Sequence, residues 1–391
     1  MTNENLRKMV HECNWDFTDA DTQYLTHNIH RYSGKFIPQI PRKAIELLTE
    51  PNDLILDSYM GSGTTLLEAM LSGRNSVGVD LNPLAALISK VKTTIISQND
   101  VNEIYNELLP FTAYLASRGQ FSLISKPFNE GKINKQATNN EWRLTDAWHR
   151  KWYQVDVLEQ LVQIYSCIEI IKNEKAKNIA LVAFSDILRK SSNASSKYPN
   201  VMFDKNAKKK STPGKHFLES LNFVIDNVFA LSNTIVNKYY TPNIIMQNNL
   251  NLTIDSESID AIVSHPPYIA AIPYAEYGSL SLTWLGFDCK KLDSEITGGV
   301  RHSKQVVSRF SDDYKRYFFE SFRVLKPNKY MFLMVGNPTS HGTVIDLNHM
   351  TKEYAKTAGF LHVATAIRYG QNRRGNKMGN EYLLFFQKAS K

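Results

Sequence analysis

The run Ser264, His265, Pro266, Pro267 and Tyr268 combines residue types that could hold a planar heterocycle. It directly follows the apolar residues of a predicted strand, so we expect it at the carboxyl edge of a sheet, where ligands bind in open α/β folds. The two prolines fix φ and cannot donate hydrogen bonds, which turns backbone carbonyls outward as stiff acceptors. Such a loop could place a base on the tyrosine ring while its carbonyls accept hydrogen bonds from an exocyclic amino group.

The chemistry that this loop suits is attack by an amino nitrogen. The amino nitrogen of cytosine or adenine is a weak nucleophile because its lone pair is delocalised into the ring. Acceptors that hold its N–H bonds direct the lone pair toward an electrophile and prepare in-line attack. A base must also leave the duplex stack, and Tyr268 can stack on it once it is flipped. His265 can accept one hydrogen bond when neutral but not when protonated. The alternative is a purely structural proline-rich turn.

A second candidate site is the turn that contains Gly61 and Gly63, where glycine permits positive φ and lets a ligand approach the backbone closely. A phosphate-binding P-loop would need a lysine after the second glycine, and a dinucleotide fold would need a third glycine where Leu66 stands. S-adenosylmethionine has no phosphate that the loop would have to bind, and it is favoured over these ligands. The alternative that the glycines only form a structural turn is also less favoured. Asp57 suits its ammonium group, and Asp80 suits its ribose hydroxyls.

The elements that must position these residues alternate between strands and helices. Residues 53–58, a helix from Thr64 to Ser72 and residues 75–80 form a predicted βαβ unit, which requires a parallel strand pair. Apolar residues at helical spacing predict helices over 155–171 and 217–235. Five more strands are predicted at 243–247, 259–264, 330–336, 360–367 and 381–387. The pattern predicts an α/β fold with a seven-stranded sheet interrupted by a mainly helical insertion.

The totals place the chain among basic proteins of the cytoplasm. Its 391 residues carry a formal charge of +8 and an isoelectric point near 9.1, which favours a polyanionic partner such as nucleic acid. The three cysteines lie far apart, so neither a disulfide framework nor a metal site is indicated. The amino terminus lacks the apolar core of a signal peptide, and no apolar run is long enough for a membrane span.

The motifs resemble those of the amino-group DNA methyltransferases. The segment DSYMGSGTTLLEAMLSGRNSVGVDLNPLA (57–85) is similar to their cofactor loop, helix and second strand, usually D-P-F-x-G-S-G-T-T, although Ser58 replaces the proline. Residues 26–48 resemble the preceding segment, which closes over the methionine end of the cofactor. Residues 264–268 resemble the catalytic loop, which reads Asp, Asn or Ser before Pro-Pro and an aromatic residue, but His265 takes the first position. Residues 322–337 and 372–388 resemble the later strands.

The resemblance implies a Rossmann-like methyltransferase fold that uses S-adenosylmethionine, no metal and no covalent base adduct. It divides the chain into a cofactor-binding half with the N-terminal segment (1–95), a helical target-recognition insertion (96–240) and a catalytic half (241–391). The catalytic residues would be Ser264, His265, Pro266, Pro267 and Tyr268. The cofactor-binding residues would be Tyr32, Lys35, Phe36, Asp57, Tyr59, Gly61, Gly63, Thr64, Asp80 and Leu81.

Double-stranded DNA is the partner that the resemblance implies, and a cognate restriction endonuclease would be a further one. The Ser-, Asn- and Lys-rich stretch 189–216, interpreted as a loop, supplies Arg189, Lys190 and Lys197, and the last strand is preceded by Arg373 and Arg374. Arginine and lysine suit phosphates. The context SHPPY…WLG favours N4 of cytosine over N6 of adenine. An RNA base methyltransferase and a DNA-binding module that lost catalysis through His265 are the remaining alternatives.

Overall fold

The core of the protein is a seven-stranded sheet with helices on both faces. A computed structural model describes residues 1–117, 140–198, 200–208, 210, 212–235, 240–269, 273–300, 303–340, 342–369 and 379–390. The strands are β1 (Leu54–Asp57), β2 (Asn75–Val79), β3 (Asn243–Ile245), β4 (Ile259–Ser264), β5 (Leu325–Gly336), β8 (Phe360–Arg368) and β9 (Glu381–Lys388). Two short strands, β6 (Thr339–Ser340) and β7 (Thr343–Val344), form a separate ribbon.

The strand order is β3-β2-β1-β4-β5-β9-β8. The first five strands of this order pair in parallel, and β9 is antiparallel to both β5 and β8. The predicted α/β fold with seven strands is therefore confirmed. Because β1, β2 and β4 are neighbours that run in one direction, their carboxyl ends open on the same edge of the sheet.

Residues along β1 and β4 alternate between the two faces of the sheet, as strand geometry requires. Ile55 and Ala261 join the core beneath the helices Asn3–Glu12 and Gln39–Leu48. Leu56 and Ile262 join the opposite core beneath the helices Val306–Val324 and Leu347–Ala358. All six residues of β4 are buried, which is the burial expected of a central strand covered by helices on both sides.

Strand β5 begins earlier than the sequence pattern predicts. It starts at Leu325, immediately after the preceding helix, instead of at Tyr330. The residues between them include Pro327 and Asn328, the latter with φ of +63°, and the pairing with β4 shifts register across this stretch. Pro and Asn indicate a turn in the sequence, but the structure accommodates them as an irregularity inside one strand.

The central part of the chain is helical and shares a core with neighbouring helices. Its helices pack with Pro83–Lys92 and Ser279–Trp284 around the buried Trp284, whose ring contacts those of Tyr153, Tyr165 and Phe184. Trp148 and Trp152 are partly buried against the same core. The central helices are Gln98–Ser117, Trp142–Thr145, Ala147–Trp152, Val155–Glu169, Glu174–Ser191 and Pro213–Thr234.

One of these helices corrects a prediction. Arg189 and Lys190 were assigned to a loop, but they lie in the last turn of the helix Glu174–Ser191. Asn173 caps this helix by accepting a hydrogen bond from the backbone of Ala176, and its buried apolar residues recur at helical spacing. The division of the chain at 96 and 240 stays a prediction.

One 3-10 helix precedes the first strand, and the remaining helices follow strands of the sheet along the chain. The sheet is accompanied by the 3-10 helix Leu25–Asn28 and by the helices Thr64–Leu71, Tyr274–Tyr277 and Cys289–Glu295. Across the residues that the structure describes, none of the helices has both the length and the apolar character needed to span a membrane.

Candidate cofactor and catalytic site

The carboxyl ends of β1, β2 and β4 border one cleft, which we call the main cleft. Asp57 ends β1, Asp80 follows β2, and His265 follows β4. The main cleft contains about 790 Å³ of empty space, its mouth included, which is the size of a small-molecule pocket. The structure therefore brings together the two regions that the sequence analysis singled out separately, although they are about 200 residues apart in the chain.

The glycine loop is held in a conformation that requires glycine. Gly61 has φ of +48°, its N–H donates to Asp80 Oδ2 at 2.9 Å, and its carbonyl accepts from Ser89 Oγ at 2.9 Å. Gly63 has φ of +75°, and a Cβ atom there would lie 3.1 Å from the Ser89 Cα. Both glycines are thus required by backbone conformation, and Gly63 also by close packing.

Asp57 is a buried carboxylate that connects β1 to the catalytic loop. It is 2% exposed, and its Oδ1 accepts hydrogen bonds from Ser264 Oγ at 2.6 Å and from the Tyr59 N–H at 3.2 Å. Burial raises the pKa of Asp57 to about 6, and the hydrogen bond from Ser264 opposes that rise. At neutral pH the group is an anion whose ionisation is sensitive to a cation placed beside it.

Asp80 is fixed by the backbone around it. Its Oδ1 accepts from the Asn82 N–H at 2.8 Å, and its Oδ2 accepts from Gly61. Burial raises the pKa of Asp80, and these backbone hydrogen bonds act in the opposite direction. Asn82 in turn accepts from the Leu84 N–H and so caps the helix Pro83–Lys92. The carboxylate is therefore held in place by the loop before any ligand is bound.

The wall opposite the glycine loop comes from the N-terminal segment. Tyr32, Lys35 and Phe36, all predicted as cofactor-binding residues, line the main cleft together with Gly34. Lys35 Nζ donates to the His27 carbonyl at 2.8 Å, and burial lowers the pKa of this lysine. Among the described residues that line the cleft, Lys35 is the only cation.

The side chains of the main cleft fit S-adenosylmethionine. Two carboxylates, Asp57 and Asp80, complement an ammonium group and a ribose diol, and Lys35 complements a carboxylate. The other predicted residues Tyr59, Gly61, Thr64 and Leu81 also line the cleft, whereas Gly63 does not. No group of three metal-ligating side chains occurs within the described ranges of the chain.

The catalytic loop presents only part of its sequence to the main cleft. His265 and Pro267 line it, whereas Ser264 is fully buried and Pro266 is covered. The His265 ring stacks on Phe36 with a centroid distance of 4.7 Å and an interplanar angle of 21°. Burial lowers the pKa of His265 to about 4, so the imidazole is neutral at physiological pH. The condition that the sequence analysis set for an acceptor is therefore met.

Tyr268 is placed differently from the open stacking platform that the sequence suggested. It is 3% exposed, and its hydroxyl lies 2.9 Å from His265 Nε2. The ring packs over Gly336, where an added Cβ would lie 3.2 Å from it. The absence of a side chain at Gly336 is what allows the ring to turn into the core. Stacking of a base on Tyr268 stays a prediction and would require its cover to move.

The predicted DNA-binding residues fall into three situations. Arg189 Nη2 donates to the carbonyls of Ser195 and Asn200 at 3.4 and 3.0 Å, so its guanidinium braces the following loop. Lys190 is exposed and lies 3.6 Å from Asp186, and Lys197 is exposed. Arg373 and Arg374 lie outside the described residues.

A second cleft, which we call the basic cleft, lies between the helix Glu174–Ser191, the loop that follows it and residues 30–33. It contains about 1400 Å³ of empty space. Its charged lining residues are Arg31, Arg189, Lys190, Lys210 and Asp186, so Asp186 is the only carboxylate among the described lining residues. Tyr32, Asn82 and Tyr274 border both clefts.

Several residues of the main cleft were missed from the sequence. Gln247 and Asn249 follow β3 and line the cleft, and Asn249 Nδ2 donates to the Ser58 carbonyl at 2.9 Å. The sequence contained a signal for these two residues, which is the polar run directly after the predicted strand. Because β3 is parallel to β2, this run lies at the same edge of the sheet. Asn82 carried the weaker signal of a helix cap before proline.

Comparisons with known proteins indicate an amino-group DNA methyltransferase. The family model of N6/N4 DNA methylases matches residues 4–90. The chain is 25% identical to type II methyltransferase M.MvaI of Kocuria varians, over 96% of this chain and 93% of that protein. It is 22% identical to type II methyltransferase M.MjaII of Methanocaldococcus jannaschii, over 97% of this chain and 84% of that protein. A SAM-dependent methyltransferase structure from Methanosarcina mazei, at 11% identity and covering 89% of this chain and 98% of that one, has a TM-score of 0.35, too remote to add an argument.

Gly63→Ala should abolish measurable binding of S-adenosylmethionine, because its Cβ would meet Ser89 and shift the glycine loop. Gly73→Ala is the matched control, since Gly73 has a similar φ of +72° but its added Cβ would meet nothing closer than 3.8 Å. Both variants carry backbone strain of about 1–2 kcal/mol. Calorimetric titration should find binding lost in the first and kept in the second, and equal losses would contradict the assignment of the loop.

The affinity for S-adenosylmethionine should fall as the pH is lowered through 6. Asp57 has a pKa of about 6 in the free protein, and a bound ammonium group favours its ionised form, so binding below this pH must first remove a proton. Titrations between pH 5 and 8 should show affinity constant above about pH 7 and decreasing below pH 6. Asp57→Asn should bind more weakly at pH 8 and show a flatter profile; an unchanged profile would remove Asp57 from the cofactor site.

Proposed function

Because this chain belongs to the amino-group DNA methyltransferases, which use S-adenosylmethionine, we propose that it methylates N4 of cytosine at a specific sequence in double-stranded DNA. The observation that carries the proposal is the neutral His265, which lines the main cleft and lies between Phe36 and Tyr268. Its position corresponds to the first acceptor of the catalytic loop. A neutral acceptor there matches the serine-type loop, which favours cytosine, more closely than the aspartate type, which favours adenine.

The catalytic loop would act by orienting the amino group. The imidazole of His265, whose Nε2 lies 2.9 Å from the Tyr268 hydroxyl, would accept one N–H bond once that contact is exchanged for the base. A carbonyl of the Pro266-Pro267 backbone would accept the other, so the nitrogen lone pair would point toward the main cleft. When bound there, the cofactor supplies a methyl group on a sulfonium that leaves as a neutral thioether. The nitrogen gains the methyl group and then loses one proton, which the neutral imidazole passes to solvent.

The contact between Phe36 and His265 supports this arrangement. Phe36 belongs to the wall of the main cleft and is 4% exposed, and His265 belongs to the catalytic loop. Their stacked rings place the acceptor at a fixed distance from the cofactor wall. A base amino group held by His265 would therefore stand beside the methyl donor, which is the positioning that in-line transfer requires.

The basic cleft is the surface that we assign to the DNA backbone. Within the described part of the chain, no ion pair joins Arg31 to a carboxylate, and the charge of Arg31 adds to burial in lowering the pKa of Arg189. A bound phosphate would reduce the repulsion between these cations. The shared wall of Tyr32, Asn82 and Tyr274 would put a nucleotide held there next to the main cleft.

The biological setting that we propose is restriction and modification. The two relatives that align with nearly the whole chain are named type II methyltransferases. A methyltransferase of that kind would recognise one short sequence through the helical region 96–240 and protect it from an endonuclease of the same specificity. The simplest test expresses the protein in cells that carry a plasmid and then measures whether the plasmid DNA resists cleavage by restriction enzymes.

The methylated base is identified by nucleoside analysis. Purified protein, unmethylated bacterial DNA and isotopically labelled S-adenosylmethionine should yield labelled N4-methylcytosine in the enzymatic digest, measured by mass spectrometry. His265→Ala should lower the rate about 10²- to 10³-fold, because a positioned hydrogen-bond partner of the reacting group is lost. His362→Ala, which removes an exposed histidine of β8, is the control and should keep the rate.

The other outcomes discriminate between the alternatives. Labelled N6-methyladenine would move the target to adenine. Label on RNA and none on DNA would replace DNA by RNA as substrate. Cofactor binding without any turnover would identify a DNA-binding module that lost catalysis through His265, and restoration of activity by His265→Ser or His265→Asn would locate that loss.

The basic cleft is tested by salt-dependent DNA binding. Arg31→Gln and Lys190→Gln should each weaken binding and reduce the slope of log K against log salt by about 1, because each would remove one phosphate contact. Lys356→Gln changes the same net charge at an exposed position of the helix Leu347–Ala358 and should leave the slope unchanged. Equal slopes in all three variants would contradict the assignment of the cleft.

A further inference from the structure

Glu68 is a buried acid in an otherwise apolar helix. The helix Thr64–Leu71 begins directly after Gly63, and Glu68 is 0% exposed within it. A carboxylate in such a place costs several kcal/mol unless hydrogen bonds compensate it. Burial raises the pKa of Glu68 to about 7, and the hydrogen bond from Tyr24 opposes the rise. Packing alone would be served as well by leucine, so the acid calls for another explanation.

The partners of Glu68 come from the N-terminal segment. Tyr24 Oη donates to Glu68 Oε1 at 2.6 Å, and His27 Nε2 lies 2.6 Å from the same oxygen. Burial lowers the pKa of His27 to about 2, so its ring is neutral and donates through an N–H on Nε2. We call Tyr24, His27 and Glu68 the Glu68 cluster. Two short hydrogen bonds to one carboxylate oxygen tie the segment to the helix of the glycine loop.

Further buried hydrogen bonds extend from the cluster toward the main cleft. Thr26 Oγ1 donates to the Lys92 carbonyl at 2.7 Å, and Lys92 Nζ donates to Ser62 Oγ at 3.2 Å within the glycine loop. Lys35 Nζ donates to the carbonyl of His27. The cluster therefore helps to hold in place the residues that follow Tyr24 and His27 in the chain. These residues form the wall of the main cleft.

We propose that Glu68 is a positioning residue that holds residues 24–36 over the cofactor. It does not line the main cleft itself. It acts through Tyr24 and His27, which fix the start of the segment, and through the segment it places Tyr32, Lys35 and Phe36. The proposal rests on cofactor binding as part of the proposed function. It identifies Glu68 as the residue on which the position of this wall of the main cleft depends.

The role extends to the catalytic loop through Phe36. Because Phe36 stacks on His265, a displaced segment would also release the ring that faces the acceptor. Loss of the Glu68 cluster should therefore raise the KM for S-adenosylmethionine and lower kcat, while the KM for DNA stays unchanged. A purely structural role would lower the amount of folded protein without separating these constants.

The test compares two variants of the cluster with a matched control. Tyr24→Phe removes one hydrogen bond to Glu68, and Glu68→Gln keeps the shape while removing the charge that strengthens both. Tyr330→Phe is the control, because Tyr330 is 5% exposed, donates to Asn3 Oδ1 at 3.0 Å and lies in the middle of β5, away from the carboxyl edge of the sheet. Tyr24→Phe and Tyr330→Phe each remove one part-buried hydrogen bond that a tyrosine hydroxyl donates, so their direct effects on stability are comparable.

Two measurements need no catalysis. Calorimetric titration with S-adenosylmethionine should give a Kd about tenfold higher in Tyr24→Phe and Glu68→Gln than in the unaltered protein, and an unchanged Kd in Tyr330→Phe. Hydrogen exchange of the free protein should be faster for the amides of residues 24–36 in the two cluster variants alone.

The outcomes separate this proposal from the proposed function. An unaltered protein that binds the cofactor, together with cluster variants that bind it equally well and exchange at the same rate, would overturn the role of Glu68 and leave the methyltransferase assignment intact. An unaltered protein that fails to bind S-adenosylmethionine would overturn the proposed function and this role together. Equal weakening in Tyr330→Phe would show a general loss of stability and also overturn the role.

Discussion

The hydrogen bond from Ser264 to Asp57 is the interaction on which the site depends. It joins the last residue of β4 to the last residue of β1 at 2.6 Å, and both side chains are almost completely buried. The Tyr59 N–H donates to both of them, which closes a small buried network between the two strand ends. Because an unpaired carboxylate at this depth would be costly, neither strand end can shift without breaking the network. The glycine loop and the catalytic loop are therefore positioned as one unit.

Local patterns in the sequence were sufficient to predict the sheet and the edge that carries the site. Strands β1 and β4 are rich in apolar residues, and the glycine turn and the proline loop follow them without a gap. Parallel pairing of β1 with β4 places both ends on the same edge of the sheet. The catalytic loop and most of the predicted cofactor residues could be assigned to one site for this reason.

The side-chain orientations that the sequence did not predict depend on contacts between distant parts of the chain. Tyr268 turns into the core because Gly336, 68 residues later on β5, leaves room for its ring. Arg189 is held by carbonyls of a loop whose course the sequence does not reveal. Glu68 is a residue type that usually faces solvent, and only the folded N-terminal segment supplies the hydrogen-bond donors that allow its burial. In each case the side chain's partner, and not its own type, determines its orientation.

The N-terminal segment is restrained from a second direction as well. His30 Nε2 lies 2.8 Å from Ser185 Oγ, which donates to Ser281 Oγ at 2.7 Å, and all three side chains are buried or nearly so. These hydrogen bonds connect the N-terminal segment to the helix Glu174–Ser191 and to the helix Ser279–Trp284. Because both sets of hydrogen bonds join protein groups only, the wall that faces the cofactor does not need a ligand to hold its position. Less ordering entropy is then lost on binding, and more of the contact energy remains as affinity.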